Sequence, residues 1–154
     1  PEREYQYFAQ ELLFLNHKQL EIEDIILFEF MIKNKSWWDT IDVISTKLVG
    51  EYFKIYPCQK IKYINSWLSS NNIWLQRSCV LFQLNYKDKL DKELLCYIIN
   101  SLTGSDEFFI NKSIGWILRS YSRINPEWVI DFVNKTELSK LSVREGLRLI
   151  KIKN

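Results

Sequence analysis

Trp38 and Asp42, in the stretch NKSWWDTIDVIS, stand four positions apart, so on a helix both side chains leave the same face one turn from each other. An indole face and a carboxylate each attract positive charge. The chain has one histidine, His17, in a stretch expected to be a loop, and no cluster with metal-ligand spacing. Neither imidazole acid-base chemistry nor a metal or other cofactor is suggested.

The elements that must carry this pair are helices. Four glycines and three prolines break the chain only rarely, and apolar residues recur between them at helical spacing. Ser36, Asn71 and Asp106 each precede such a run and serve as expected N-caps, and Ser142 with Glu145 reads as a capping box. These starts fall at 36, 71, 106 and 142, intervals of 35, 35 and 36 residues. Further helices are expected over about 21–33, 59–69, 91–102 and 125–134, the last with Asn125 as cap and Pro126 at its first position, and one more opens the chain at EREYQYFAQELLFL. Two helices per 35 residues is the pattern of an α-solenoid. The expected fold is therefore all-α, an α-α superhelix of HEAT-like repeats with about nine helices, in one domain over 1–154.

Repetition makes the face of Trp38 and Asp42 predictable from repeat to repeat. Positions 2, 6 and 10 after each cap share one stripe, giving Trp38, Asp42 and Thr46, then Ile73, Arg77 and Leu81, then Phe108, Lys112 and Trp116, then Arg144, Arg148 and Ile152. Stacked side by side, the stripes form a basic surface with aromatic rings and one carboxylate, extended by Lys47, Arg119 and Arg123. Cations about 10 Å apart, one repeat spacing, suit a phosphate backbone.

Plainer readings cover the same residues. Asp42 and Arg77, 35 positions apart, fit an inter-repeat ion pair as well as a working site. Trp37, Trp67, Trp74 and Trp128 are expected in the core, and Asp39 reads as a first-turn acid favoured by the helix dipole. The net charge is only +2, so affinity for nucleic acid must come from arrangement. Cys58, Cys79 and Cys96 have no CxxC pairing and read as reduced, mostly buried thiols of a cytoplasmic protein. No run is long enough for a membrane span.

SWWDTIDVIS, NIWLQRSCVLFQL and FINKSIGWILRSYS together resemble the DNA alkylation-repair glycosylases of the AlkD type, over essentially the whole chain. Members of that family carry about two further helical repeats ahead of the point where this chain starts, so it is expected to be the later part of such a protein. The resemblance implies hydrolysis of the N-glycosidic bond of N3- or N7-alkylated purines in double-stranded DNA by a monofunctional glycosylase; a solenoid that wraps duplex DNA suffices as a monomer, which is the expected state. Asp42 would be the catalytic acid, Trp38 and Trp116 the two walls of its site, Arg77 a holder of the backbone near the lesion, and Arg119 a DNA contact.

That chemistry matches the residues. A cationic purine leaves neutral without protonation, while the sugar becomes an oxocarbenium ion that a fixed carboxylate stabilises. Two other readings stand beside the enzyme: a non-catalytic solenoid that binds unusual DNA structures, and a protein-binding scaffold.

Overall fold

The computed structural model describes residues 3–150, and nine helices and no strand occur among them. They are α1 (Arg3–Leu15), α2 (Asp24–Lys33), α3 (38–55), α4 (Pro57–Leu68), α5 (Ile73–Leu81), α6 (Lys92–Leu102), α7 (Phe108–Tyr121), α8 (Pro126–Lys135) and α9 (Lys140–Gly146). α3 runs unbroken but changes pitch: an α-helical start at Trp38–Val43 passes through a π-helical stretch at Ile44–Val49 into Gly50–Ile55. None of these helices is long and apolar enough to cross a membrane.

The helices form two layers: α3, α5, α7 and α9 lie side by side in one, and behind them α4 packs on α6, with α2 against α3 and α5 and α8 against α7. α1 packs against α3. Between the layers lie Phe28, Tyr52, Phe53, Trp67 and Phe82, all essentially inaccessible to solvent, with Phe53 and Phe82 edge-to-face at 5.2 Å. Among the four tryptophans expected there, Trp67 is buried, Trp74 and Trp128 are half-buried against the core, and Trp37 is exposed. The cysteines divide too, with Cys79 buried, Cys96 half-buried and Cys58 exposed.

Asn125 caps α8 through an acceptor bond from Trp128 N, with Pro126 at the first position, and Asp91 caps α6 in the same way. The other four caps differ from expectation. Ser36 turns its hydroxyl back to the Ile32 carbonyl at the end of α2, and Trp37 becomes the N-cap of α3. Asn72, not Asn71, accepts from Trp74 N and Leu75 N; Glu107, not Asp106, precedes α7. At α9 the cap is Ser139, three residues earlier, because Ser142 is buried inside the helix with its hydroxyl donating to the Asn111 carbonyl of α7. The first three starts keep their 35-residue interval, so the stripes survive; the fourth moves. α9 also ends at Gly146, which leaves Arg148 on the turn beyond it, and Ile152 lies outside the described residues.

Close approach in the first layer depends on small residues. A methyl on Gly50 would lie 2.7 Å from the Phe82 carbonyl, and one on Gly115 would lie 2.5 Å from Cβ of Glu145. Ser45 on α3 and Ser78 on α5 bridge through their hydroxyls at 2.8 Å. Spacing this tight brings side chains from successive helices within direct reach of one another.

Candidate active site

Trp38 opens α3 and Asp42 follows one turn later, both on the side of α3 that faces a cleft of about 340 Å³. The rest of the lining comes from the next two helices of the layer: Arg77 of α5, and Phe108, Phe109, Lys112, Trp116 and Arg119 of α7. Six of the ten candidate site residues are thus gathered in one place. Trp38 and Phe108 are exposed at the cleft, whereas Trp116 is half-buried.

Arg77 and Asp42 form a two-point fork, Nε donating to Oδ1 at 2.8 Å and Nη2 to Oδ2 at 3.0 Å. The remaining arm, Nη1, donates to the Phe109 carbonyl at 2.5 Å and so ties α3, α5 and α7 together. The arginine side chain is 4% exposed and the aspartate 13%, which places the anion on the solvent side of its partner. Arg77 therefore holds the carboxylate rather than standing free for a phosphate, and the ion pair foreseen as one of two readings is present. Burial pushes the Asp42 carboxyl above its usual value, the Arg77 hydrogen bonds and charge pull it back, and Asp39 adds a further upward push.

Lys112 and Arg119 meet a carboxylate that the sequence reading assigned to a cap. Glu145 of α9 accepts from Lys112 Nζ at 3.0 Å through Oε1 and from Arg119 Nη1 through Oε2. The bond from Lys112 is the first cause holding the Glu145 carboxyl below its ordinary range, with Arg119 acting in the same direction. Here the cations are the more exposed partners, with side chains 38% and 22% accessible against 9% for Glu145.

The other four candidates are not drawn into this cleft. Lys47 sits on the π-helical stretch with its ammonium 4.9 Å from the centre of the Phe14 ring. Arg123 lies on the turn after α7, Arg144 on the exposed side of α9, and Arg148 on the turn that follows it. None of the four is in an ion pair among the described residues. Asp39 does more than favour a helix start: Arg3 and Tyr7 both donate to it, which fastens α1 to the first turn of α3.

Two residues escaped the sequence reading. Phe109 sits under the site, touching Trp74 at 5.0 Å, Trp37 at 6.2 Å and Phe108 at 5.3 Å between ring centroids, and it faces the Arg77 guanidinium at 5.9 Å. Its position beside Phe108 and 32 residues after Arg77 was the available signal. Glu145 was visible only as the partner of Ser142, and its alternative role follows from lying 33 residues after Lys112, close to one repeat.

The site thus offers a fixed carboxylate, aromatic rings and two further cations lining one cleft. Such an arrangement stabilises positive charge near Asp42 and holds an anion near Lys112 and Arg119. A search of curated proteins finds no match. A solved structure described as a predicted DNA alkylation repair enzyme from Enterococcus faecalis superposes with a TM-score of 0.90 and 33% identity, over 99% of this chain and 71% of the other. The family model of DNA alkylation repair enzymes matches residues 1–150, and the chain belongs to that family.

Proposed function

We propose that the chain is a monofunctional DNA glycosylase that releases cationic N3- and N7-alkylated purines from double-stranded DNA and binds it as a monomer. Asp42 is its catalytic carboxylate, and Trp38 and Trp116 line the sugar site. The observation that carries this reading is the Arg77 fork, which fixes a carboxylate on the cleft side of a buried pair, in a cleft also lined by aromatic rings.

An alkylated purine already bears the charge that makes it a leaving group, so no general acid is needed. Bond cleavage leaves positive charge on the deoxyribose. Asp42 stabilises that charge and orients the water that attacks the anomeric carbon. At about 4 Å and an effective dielectric of about 20, a carboxylate attracts a unit positive charge by roughly 4 kcal/mol. The Arg77 guanidinium, about 8 Å away if it lies directly behind, opposes it by roughly 2 kcal/mol. Arg77 therefore lowers the field of the site while keeping the carboxylate ionised and aimed.

The opposition gives the reading an unusual test. Asp42→Asn removes the anion but leaves the arginine charge, so release of 7-methylguanine from duplex DNA should fall about a thousandfold, the full roughly 4 kcal/mol. Asp42→Asn combined with Arg77→Met removes both charges and should fall only about thirtyfold, making the double variant faster than the single one. The measurement is single-turnover base release at saturating DNA, with duplex binding followed in parallel. Wild-type protein that binds duplex DNA and releases no base would be the non-catalytic binding protein instead, and protein without affinity for DNA at low salt would be a scaffold.

A further inference from the structure

The two charge clusters at the cleft point in opposite directions. In the Asp42–Arg77 pair the anion is the more exposed member, and in the Lys112–Glu145–Arg119 cluster the cations are. The cleft therefore presents negative charge at the first cluster and positive charge at the second, as a nucleotide requires when its sugar becomes cationic beside an anionic phosphate.

We infer that Glu145 is a positioning residue that holds Lys112 and Arg119 as a preformed site for one DNA phosphate and neutralises one of their two charges. This rests on the glycosylase reading above and deepens it. Three observations carry it. Glu145 is itself nearly buried and takes one donor from each cation, and both cations line the cleft that holds Asp42. The ammonium of Lys112 and the guanidinium of Arg119 keep further N–H groups for a phosphate. Finally, Glu145 is seated where α7 and α9 approach most tightly: its Cβ would be 2.5 Å from a methyl on Gly115, and Ser142, one turn earlier, bonds the Asn111 carbonyl. Glu145 is nearly buried with its Cβ held at the tight approach to Gly115, while the cations are more exposed and sit at the ends of longer side chains, so it is the cations whose positions the contact decides.

Holding charge in place and cancelling part of it have separable effects. Fixed cations hold the sugar in register with Asp42 and raise the rate of excision in the bound state. The cancelled charge weakens and softens the grip on the backbone. A residue with only a packing role would have neither signature.

The experiment compares wild type, Glu145→Gln and Glu145→Asp, using duplex DNA with and without 7-methylguanine. Glu145→Gln is expected to bind duplex several-fold more tightly, with a log–log salt dependence steeper by about one. Its single-turnover excision rate is expected to fall by about tenfold. Glu145→Asp keeps the charge but shortens the reach, so it should retain the wild-type salt dependence and still excise more slowly. Unchanged salt dependence in Glu145→Gln, or full excision by Glu145→Asp, overturns the assignment while leaving the glycosylase reading intact. Failure of wild-type protein to bind duplex DNA overturns both.

Discussion

Asp42 shows how one side chain serves two demands that pull apart. As the proposed partner for a developing cation it must be ionised and facing the cleft, yet its burial raises the carboxyl above the ordinary value of 3.8. Arg77 offsets that burial, and its third bond to the Phe109 carbonyl fixes the direction in which the pair can face. Because protonation removes the charge that the proposed reaction uses, excision should show an acid limb governed by Asp42, with its midpoint above 3.8. Single-turnover rates measured from about pH 4 to about pH 8 on a substrate whose cationic charge does not titrate in that range check this. A rate that stays level as pH falls would assign the limiting charge to another group. Stability follows a different sign at the two carboxylates. The raised value at Asp42 is a stabilising contribution present below 3.8 and lost as pH rises through the folded-state value, whereas the lowered value at Glu145 contributes above 4.5 and is lost as pH falls through its depressed value.

At the level of elements, the site depends on how closely α7 and α9 approach. Gly115 faces Cβ of Glu145 and the backbone of Ser142, with a methyl placed at 2.5 Å from the first and 3.2 Å from the Ser142 carbonyl oxygen. Neither neighbour is the free end of a flexible side chain, so Gly115→Ala must push the helices apart. The expected cost is about 1–3 kcal/mol of stability, read by chemical denaturation. The same variant should steepen the salt dependence of DNA binding, since the displacement loosens Glu145 from Lys112 and Arg119. The sequence made the helices legible because apolar spacing reports the buried face directly, and it made the Trp38, Asp42, Arg77, Lys112 and Trp116 stripe legible because a 35-residue step returns to the same side. The caps were less legible: Ser36 and Ser142 have capping chemistry, but their hydroxyls have competing uses that only packing decides. Ser142 went to the Asn111 carbonyl, and Glu145 went to two cations instead of its own helix start. The π-helical stretch after Asp42 has no sequence signature at all; it accompanies the Ser45–Ser78 contact and the Gly50–Phe82 approach, both of which belong to the neighbouring helix.

Across the whole molecule, the bases divide into those engaged at the cleft and those left outside it. Arg77, Lys112 and Arg119 each face a carboxylate, while Lys47, Arg123, Arg144 and Arg148 form no ion pair among the described residues and are exposed. With a net charge of only +2 in the whole chain, the proposed glycosylase would draw on the second group for attraction to a polyanion, outside the chemistry. Arg144 and Arg148 lie at the far end of the layer from Trp38, on α9 and the turn after it, where a strand already held at Lys112 and Arg119 would continue. Each arginine that touches a phosphate contributes about 0.9 to the log–log salt slope, so Arg144→Ala and Arg148→Ala together should lower the slope by up to about two. Their affinity for undamaged and alkylated duplexes should drop alike, because phosphate contacts carry no base information. At saturating DNA their excision rate should match wild type, which separates them from Asp42→Asn, slow even when fully bound, and from Glu145→Gln, slow although it binds more tightly. A salt slope unmoved by both substitutions would mean that the backbone leaves the protein before it reaches α9, and would confine the DNA path to the cleft between α3 and α7.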